Sequence, residues 1–533
     1  MSGLRRRMLT RIGNSVLAGM SLVALRANAT SVVSSEAPKN GRKTVSLLDY
    51  YANGVSGAFV DRTGTIDSTR GIQKFFNDCG KSGEIATMPA GRYKISGPLT
   101  YSGAGGILME SAGYGDDITG DCGIFPVGSN YTALTVSGSP HIFDVTLGGG
   151  GQNLDGILFK NPQMAKIGKT RVYNFNGAGV RIDRCWDCLF ETISVELCGN
   201  AGNYAFSMND AGDTCNMSHI LRLQVEQAQY RAIFISPNSL SCVIDNIHSE
   251  RAKTGPAHPT WVLGGNRCRY NGVRLHALVP TTASATFDGA NTTFANVSTE
   301  GAVAVRAQGY NGTSITFDTP SVEGSFGVVP DQVGIITIVG GSIANFNSNA
   351  YSFRVFGTRI SSLTVAYSNS DPEQMQFFGC SVGTLRSVST TAAASFTGCT
   401  ISESGSYLAD ITIFNNCSVT STRPIVIAHS QKVIGNNSNF SAGGSGFSVA
   451  GNGCIISRGS TWNGAMSFTG QCASLFDETS SVSGAVKGFS APSALTWIKG
   501  ARTRNIAPAV GSPKGWVCVV AGIPGTWISE GNL

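Results

Sequence analysis

Charged residues are scarce in this chain of 533 residues, because Lys, Arg, Asp and Glu together make up only 14% of it. Long helices need more charged residues, Ala and Leu, so this composition argues against a helical protein. The net charge is only +6, and Lys and Arg form no tracts with interleaved aromatics, so we expect no nucleic-acid partner. What the chain does have is 67 Gly and 41% hydrophobic residues. This combination favours a packed protein of short strands and tight turns.

A metal-binding pattern is also missing, although the chain has 14 Cys. Only Cys185 and Cys188 form a CxxC pair, and no second pair follows at zinc spacing. We therefore predict no metal site and no cofactor. Most of the cysteines are interpreted as buried free thiols that pack like small apolar side chains.

No apolar run is long enough to span a membrane. The stretch from Ile12 to Leu25 has 14 residues, whereas a spanning helix needs about 20. It follows Arg5–Leu9, which resembles a twin-arginine signal, and it precedes Ala27-Asn28-Ala29, an A-x-A cleavage pattern. Residues 1–44 are thus predicted to be either an export signal or an anchor that docks the protein into a larger particle, followed by a linker.

The segment after residue 45 predicts a strand, a short helix and another strand. Val45–Tyr50 has strand character, and Asp67-Ser68-Thr69 offers N-capping side chains to a helix. In that helix Ile72, Phe75, Phe76 and Cys79 share one face. Pro89-Ala90-Gly91 and the strand Arg92–Ile95 then complete a pattern. This pattern resembles the opening of pectate-lyase-like proteins, including bacteriophage tailspikes. The resemblance implies a helix that caps the open end of a β-helix.

An internal repeat of about 20 residues occupies the C-terminal half. Its aligned apolar positions are Val339, Phe356, Phe377, Phe396 and Phe414. A Gly/Asn turn and a small residue follow, including Cys380, Cys399, Cys417, Ser438 and Ser460. A period of this length is typical of one coil of a β-solenoid, in which equivalent residues stack along the axis. We therefore predict that the three cysteines are reduced, buried and stacked.

A second series lies in the middle of the chain, where segments of the form apolar-x-x-Glu recur. The series ends in Glu196, Glu226, Glu250, Glu300 and Glu323. Strand alternation places the apolar residues inside and the Glu side chains outside. The glutamates are therefore predicted to line one outer edge of the stack.

The C-terminal residues 511–533, with Trp516 and Trp527, closely resemble the ends of phage tailspikes, which implies a homotrimer. The fold predicted from these features is an all-β, right-handed parallel β-helix with an N-terminal capping helix and a small C-terminal β-rich domain. We place the β-helix with the candidate active region at 45–335, a continued short-coil solenoid at 336–480, and a C-terminal trimerisation or cap region at 481–533.

The candidate catalytic residues come from residues 215–251, which resemble the central coils of tailspike depolymerases. Glycoside hydrolysis needs two carboxyl groups, and Glu226 and Glu250 would lie on adjacent coils. Alternatives are Asp210 and Asp213 in a polar, Gly-containing loop, or no catalysis at all if the glutamates form only a solvated edge. The predicted substrate-binding residues are Arg231, Arg251, His248, Trp261, Tyr230 and Tyr270.

The resemblance implies an endo-acting hydrolase that depolymerises bacterial capsular polysaccharide or exopolysaccharide, located in a virion tail and attached to a tail adaptor through its N-terminus. The segment from His219 to Arg274 contains seven Lys or Arg residues and three Asp or Glu residues. This excess of positive charge favours an acidic glycan. Three alternatives stay open: a polysaccharide lyase, a non-catalytic receptor-binding spike or adhesin, and an exported bacterial protein.

Overall fold

The fold is described by a computed structural model. It describes residues 43–52, 59–110, 122–208, 214–253, 259–280, 283–307, 313–328, 334–348, 352–365, 375–387, 393–404, 411–427, 431–450, 453–469, 475–476, 480–482, 486–488, 491, 499, 502–505, 509–522 and 525–533. Segment 1–44, predicted as a signal or anchor, lies almost entirely outside these residues.

The chain winds through three strand positions in each coil, which we call sheets A, B and C in chain order. Each strand pairs in parallel with the equivalent strand of the next coil, as Leu223–Glu226 does with Ile247–Ala252 in sheet B. The two neighbouring positions behave alike: His219–Ile220 pairs with Val243–Asp245 in sheet A, and Arg231–Ile235 pairs with Trp261–Asn266 in sheet C. This topology confirms the predicted parallel β-helix.

The strand bounds follow this three-sheet scheme. Sheet A contains Thr44–Ser46, Ile85–Met88, Gly106–Met109, His219–Ile220, Val243–Asp245, Ser314–Asp318, Ile335–Val339, Ser352–Phe356, Met375–Phe378, Ala393–Thr397, Ile411–Asn415, Lys432–Asn436, Cys454–Arg458 and Leu475–Phe476. Sheet B contains Arg92–Ile95, Gly123–Pro126, Leu223–Glu226, Ile247–Ala252, Ser418–Ser421, Asn439–Ala442, Thr461–Asn463 and Ser481–Val482. Sheet C contains Leu99–Ser102, Thr132–Ser137, Asp155–Lys160, Val180–Asp183, Tyr204–Met208, Arg231–Ile235, Trp261–Asn266, Ser284–Ala290 and Ala302–Ala307.

Longer strands bend at a corner and contribute to two sheets. Those that begin in sheet A and end in sheet B are Ile142–Gln152, Lys166–Phe175, Leu189–Glu196, Arg269–Ala277 and Thr292–Thr299. Those that begin in sheet B and end in sheet C are Ser321–Val328, Ser342–Ser348, Arg359–Val365, Ser381–Ser387 and Thr400–Ser404.

The N-terminal end is covered by the predicted helix, which spans Thr69–Ser82 and buries Ile72, Phe75, Phe76 and Cys79. Two local predictions are corrected. Ser68 does not cap this helix, because its hydroxyl accepts the backbone N–H of Asp61 at 2.9 Å. The strand expected over 45–50 is limited to Thr44–Ser46, and a short helix, Leu47–Ala52, follows it. Neither of these two helices of the described chain is long and apolar enough to cross a bilayer.

A seven-stranded sheet closes the C-terminal end. Ile425–Ile427, Phe447–Ala450, Met466–Thr469, Val486–Gly488 and Arg502–Asn505 pair in parallel in chain order, and Gly515–Val520 and Thr526–Ser529 then pair antiparallel. The change of direction ends the stack of coils. The domain boundaries predicted at 335/336 and 480/481 stay predictions.

The interior of the C-terminal coils is a column of aromatic rings. The ring centroids of Phe377 and Phe396 are 4.8 Å apart and those of Phe396 and Phe414 are 5.3 Å apart, with nearly parallel planes. Phe440 continues the column at 5.4 Å from Phe414. Each coil thus removes at least one aromatic ring from water and stacks it on the ring of the next coil.

The corner between sheets A and B holds the predicted thiol ladder of Cys380, Cys399 and Cys417. The backbone N–H of Cys380 donates to Cys399 Sγ at 3.3 Å, and that of Cys399 donates to Cys417 Sγ at 3.4 Å. Ser438 and then Ser460 continue the ladder with hydroxyl acceptors at 3.0 Å. All three cysteines are buried and unbridged, which confirms the prediction.

The corner requires a left-handed residue before each cysteine of the ladder, which is Gly in two coils and Asn416 before Cys417. Gly379 and Gly398, one position before Cys380 and Cys399, have φ angles of 60° and 62°, in the left-handed region that side chains disfavour. Because of this turn, the backbone N–H of the ladder residue that follows has no partner in the strand. It donates instead to the sulfur or hydroxyl oxygen of the equivalent residue on the next coil.

Two aligned positions of the repeat do not lie where the sequence pattern placed them. Val339 pairs with Phe356, and Phe356 pairs with Phe378 rather than with Phe377. Because side chains alternate along a strand, this one-residue difference turns Val339 and Phe356 outward, where they are 40% and 37% exposed. The register of these two copies therefore differs by one residue from the alignment of the sequence repeat.

The thiol ladder predicts the chemical accessibility of its cysteines. In the folded protein, iodoacetamide should leave Cys380, Cys399 and Cys417 unlabelled, because burial keeps the reagent away from their sulfur atoms. All three should label after unfolding in guanidinium, without prior reduction. Half-buried Cys454 is the internal comparison and should react first. Peptide mapping that found disulfides among the three would contradict the ladder.

Candidate functional site

The outer face of sheet B carries a column of three carboxylates on successive coils. Glu196 pairs in register with Glu226, and Glu226 pairs with Glu250. Adjacent parallel strands are about 4.8 Å apart, so each carboxylate has the next one as its immediate neighbour. We call Glu196, Glu226 and Glu250 the carboxylate column.

The backbone fixes the column at the corner where the chain leaves sheet B. The residue after each glutamate is left-handed: Leu197, Gln227 and Arg251 have φ angles of 52°, 50° and 53°. A non-glycine residue adopts this conformation only where its surroundings enforce it, and the same turn recurs in three consecutive coils. The three glutamates therefore project from equivalent points of a rigid frame.

Glu196 differs from the other two in its surroundings. Only 9% of it is exposed, and burial raises its pKa above the ordinary value of 4.5. The negative charge of Glu226 raises this pKa further, and the guanidinium of Arg171 opposes the shift. Burial and the neighbouring carboxylate thus both favour the protonated form of Glu196.

Glu226 and Glu250 have hydrogen-bonding or basic side chains as neighbours. The side-chain amide of Gln224 donates a hydrogen bond to Glu226 Oε1. Arg251 Nε lies 3.6 Å from Glu250 Oε1, and His248 Nε2 lies 3.8 Å from Glu250 Oε2. Glu250 is 44% exposed at its side chain, so water and a ligand reach it. Both carboxylates thus have a hydrogen-bond donor or a basic side chain as a neighbour.

A second outward column runs beside the first and is polar throughout. Its members on successive coils are Arg171, Ser194, Gln224, His248 and Arg274. The Arg171 guanidinium lies 5.7 Å from the ring centre of Tyr173, which pairs with Glu196. The two columns form a polar surface about 20 Å long, at about 4.8 Å per coil.

Two of the predicted substrate-binding residues are corrected. Trp261 is fully buried, and its indole N–H donates to Ser249 Oγ at 2.9 Å. Tyr270 is also fully buried, and its ring stacks on Phe294 at 4.7 Å between centroids. Strand alternation turns both rings into the core, so neither stacks on a sugar.

The other predicted residues lie in different surroundings. Tyr230 is 50% exposed and follows the column at the corner between sheets B and C. Arg231 begins a sheet C strand, and its guanidinium lies 5.3 Å from the ring centre of Tyr204. Asp210 and Asp213 lie outside the described residues. The structure thus brings Glu226, Glu250, His248 and Arg251 together.

Metal-ligating groups do not cluster in the described part of the chain, where no three His, Cys, Asp or Glu side chains are arranged to hold an ion.

Comparisons with known proteins identify no family. No protein-family profile matches the sequence. No curated protein matches it either. Among solved structures, the chain is similar to ORF18 of Geobacillus virus E2, with 13% identity, a TM-score of 0.37 and coverage of 60% of each chain. It therefore spans 60% of the length of that viral protein.

Two further solved structures show similarity of the same order. Pre-mature gene product 12 of bacteriophage phi29 has 10% identity and a TM-score of 0.32, with 92% of this chain and 76% of that chain covered. The A-module of the mannuronan C-5 epimerase AlgE6 of Azotobacter vinelandii has 12% identity and a TM-score of 0.21, with 83% and 98% covered. Scores this low carry no information about the function of this chain.

Glu196 is the residue that sequence reasoning did not select. It belongs to the apolar-x-x-Glu series and was predicted on the same edge, but the proposed pair was Glu226 and Glu250. The sequence signal was therefore present in the series itself. The series does not reveal the burial that distinguishes Glu196, because its five segments share one form.

The raised pKa predicts how Glu196 affects stability. In the folded chain ionisation of Glu196 is disfavoured, so its cost is absent below pH 4.5 and grows as the pH rises toward the folded-state pKa. Glu196→Gln removes the ionisation and should raise the apparent Tm at pH 8, with a difference that vanishes near pH 4. Differential scanning fluorimetry at a fixed scan rate measures this. Exposed Glu323→Gln is the control, and an equal effect in both variants would contradict the assignment.

Proposed function

We propose that this protein binds and cleaves a bacterial capsular polysaccharide or exopolysaccharide by endo-glycoside hydrolysis at the carboxylate column. The observation that supports this most directly is the unequal environment of Glu196 and Glu226 on adjacent coils. Hydrolysis of a glycosidic bond needs one carboxyl group that holds a proton and one that is ionised. Burial and a neighbouring charge raise the pKa of Glu196, whereas Glu226 accepts an amide hydrogen bond.

In this proposal Glu196 is the general acid. Its proton passes to the glycosidic oxygen as the bond to the anomeric carbon breaks, so that the leaving sugar departs as a neutral hydroxyl. Glu226 bonds to the anomeric carbon as the leaving oxygen departs, and a water molecule then displaces Glu226 and gives one proton back to Glu196, which restores both carboxyl groups. If Glu250 is the partner instead, it takes a proton from a water molecule that attacks the anomeric carbon directly. The Gln224 amide holds the Glu226 carboxylate in position.

The distance between Glu196 and the carboxylate that acts with it predicts whether hydrolysis retains or inverts the anomeric configuration. Retaining enzymes have carboxyl groups about 5–5.5 Å apart, and inverting enzymes have them about 6.5–9.5 Å apart. One coil separates Glu196 from Glu226, about 4.8 Å at the backbone, and two coils separate Glu196 from Glu250, about 9.6 Å. If Glu226 is the partner, the first product should retain its anomeric configuration. If Glu250 is the partner, the product should be inverted.

The polar surface around the column is suited to an acidic glycan that lies along the solenoid axis. Arg171 and Arg274 stand at the two ends of the second column, and Arg251 lies beside Glu250. Guanidinium groups bind carboxylate substituents in a bidentate manner, which Lys does not match. Together with the tailspike-like C-terminus, this supports a homotrimeric spike in a virion tail or extracellular location as the wider assignment.

The central prediction is that the carboxylate column cleaves the polysaccharide. Glu196→Gln and Glu226→Gln should each reduce the rate of polysaccharide cleavage by at least about a hundredfold, the scale of losing acid–base assistance. Glycan binding should persist, because Gln keeps the shape of Glu. Release of reducing ends from a panel of purified capsular polysaccharides measures the rate, and NMR of the first product gives the anomer.

The matched control is Glu323→Gln, an exposed member of the same series farther along the axis. It should leave the rate near that of the unchanged protein. Glu250→Gln decides between the two stereochemical outcomes. If Glu196→Gln, Glu226→Gln and Glu250→Gln all cleave normally, the column is only a solvated edge and the hydrolase proposal fails.

A lyase is the second candidate, and one observation favours it. His248 and Arg274 pair in register on the outer face, so a base lies beside a cation that would neutralise a uronate carboxylate. β-Elimination forms a carbon–carbon double bond, and the product absorbs in the ultraviolet, whereas a hydrolysis product does not. An absorbing product that disappears in His248→Gln would select the lyase. Binding to a capsule without any cleavage would select the adhesin.

A further inference from the structure

The corner between sheets C and A has the same construction in five consecutive coils. Two buried small residues enclose a pair of residues that project outward, as Cys185 and Cys188 do around Trp186 and Asp187. The five segments are Pro162–Ala165, Cys185–Cys188, Cys215–Ser218, Ser239–Cys242 and Gly265–Cys268. The CxxC pair is thus one copy of a structural repeat. We call the outward residues of these five segments the corner ridge.

Backbone pairing holds the corner ridge in register. One column of β-bridges contains, in chain order, Gln163, Trp186, Asn216, Leu240 and Asn266. The residue after each of them is left-handed, with φ angles between 48° and 56°. The backbone N–H of Trp186 donates to the carbonyl of Pro162 at 3.0 Å, and that of Met164 donates to the carbonyl of Trp186 at 2.9 Å. The outward side chains therefore project from a fixed frame, about 4.8 Å apart along the axis.

Trp186 is the largest side chain of the corner ridge and is 46% exposed. The buried Trp261 and Trp462 each donate the indole N–H to a serine hydroxyl at 2.9 Å. Trp186 has no such acceptor among the residues that the structure describes. Its indole N–H is therefore free to donate to a ligand that lies against the exposed part of the ring.

The neighbours of Trp186 combine amide and apolar side chains. Gln163 and Asn216 are its partners on the preceding and the following coil, and their amides both donate and accept hydrogen bonds. Met164 and Met217, the residues after them, are 69% and 64% exposed. A sugar ring has apolar C–H faces and a rim of hydroxyl groups. An aromatic ring with amides on both sides and adaptable apolar side chains near it is chemically matched to such a ligand.

The charge of this part of the ridge favours an uncharged sugar. Asp187 is the only charged residue among the six at its centre, which are Gln163, Met164, Trp186, Asp187, Asn216 and Met217. Its carboxylate repels an anionic substituent but accepts hydrogen bonds from hydroxyl groups. Lys166, at the start of the adjacent strand, is paired with Glu191 at 2.9 Å. The surface beside the carboxylate column has the opposite character, because Arg171 and Arg274 lie there.

We propose that Trp186, Gln163 and Asn216 form a second, non-catalytic glycan-binding site that takes an uncharged hexopyranose unit. The C–H face of the sugar lies on the indole ring of Trp186, and its hydroxyl groups bond to the two amides. The coil spacing of about 4.8 Å is close to the width of one sugar ring, so Gln163 and Asn216 reach opposite edges of a sugar centred on Trp186.

This site is separate from the carboxylate column. Trp186 lies just before the strand Leu189–Glu196, which passes through sheets A and B, and Glu196 lies at the far end of that strand. The proposal goes beyond cleavage, because a site with a single carboxylate holds the glycan without cutting it. Binding of a neutral sugar and cleavage of a polysaccharide are separate measurements, so failure of one proposal is distinguishable from failure of the other.

The test is binding of the full chain to immobilised neutral hexasaccharides of glucose, galactose and mannose, measured by biolayer interferometry. The unchanged protein should bind at least one of them. Trp186→Ala should weaken that binding at least about tenfold, because the stacking surface is lost. Gln163→Ala and Asn216→Ala should each weaken it about threefold, the scale of one hydrogen bond. Affinity should change less than about twofold between 50 and 500 mM NaCl, because no ion pair forms.

The matched control is Phe356→Ala. Phe356 is also an exposed ring, at 37%, but its partners on the adjacent coils are Val339 and Phe378, which carry no amide. This variant should keep the affinity of the unchanged protein. Trp186→Phe should bind more tightly than Trp186→Ala, because a ring remains, and this comparison separates stacking from a general loss of structure.

Glu226→Gln distinguishes the ridge from the proposed cleavage site and should bind the neutral hexasaccharide as the unchanged protein does. Failure of the unchanged protein to bind any of the three hexasaccharides overturns the proposal. Binding that persists in Trp186→Ala also overturns it. An equal loss of binding in Glu226→Gln and Trp186→Ala would place the neutral sugar at the carboxylate column and would overturn the second site as well.

Discussion

Parallel pairing between consecutive coils is the constraint on which every other feature of this molecule depends. Each strand places its residues about 4.8 Å from their equivalents on the next coil, with the same side chains inside and outside. Residues at equivalent positions of successive coils are therefore neighbours along the axis. Phe377 stacks on Phe396, the backbone N–H of Cys380 donates to Cys399 Sγ, and Glu196 lies beside Glu226.

The same register has opposite consequences for apolar and for ionisable side chains. Stacked rings and thiols gain contact, whereas stacked carboxylates repel one another unless one of them keeps its proton. The chain accommodates three carboxylates at one corner by burying Glu196 and giving hydrogen-bonding or charged partners to Glu226 and Glu250. Carboxyl groups with perturbed environments occur at many functional sites, and the proposed catalytic role of the column rests on this.

Sequence periodicity was sufficient for the fold, for the thiol ladder and for the edge that carries the glutamates, because each depends only on which residues recur. It was insufficient where one residue decides the face. The repeat alignment placed Val339 and Phe356 level with Phe377, but strand pairing puts them level with Phe378 and turns them outward. Trp261 and Tyr270, which were predicted to bind substrate, are buried instead. The distinct environment of Glu196 also escaped the pattern, because the five segments of the series share one form.

The corner between sheets A and B makes each coil an interchangeable unit of length. Cys380 and Cys399 are 19 residues apart and occupy the same place in successive coils, and Ser381 pairs with Thr400. Excision of residues 381–399 would join Cys380 to Thr400 and leave the path of the chain through the corner unchanged. The solenoid can therefore lengthen or shorten in whole coils during evolution, so the reach of the protein is adjustable independently of the carboxylates.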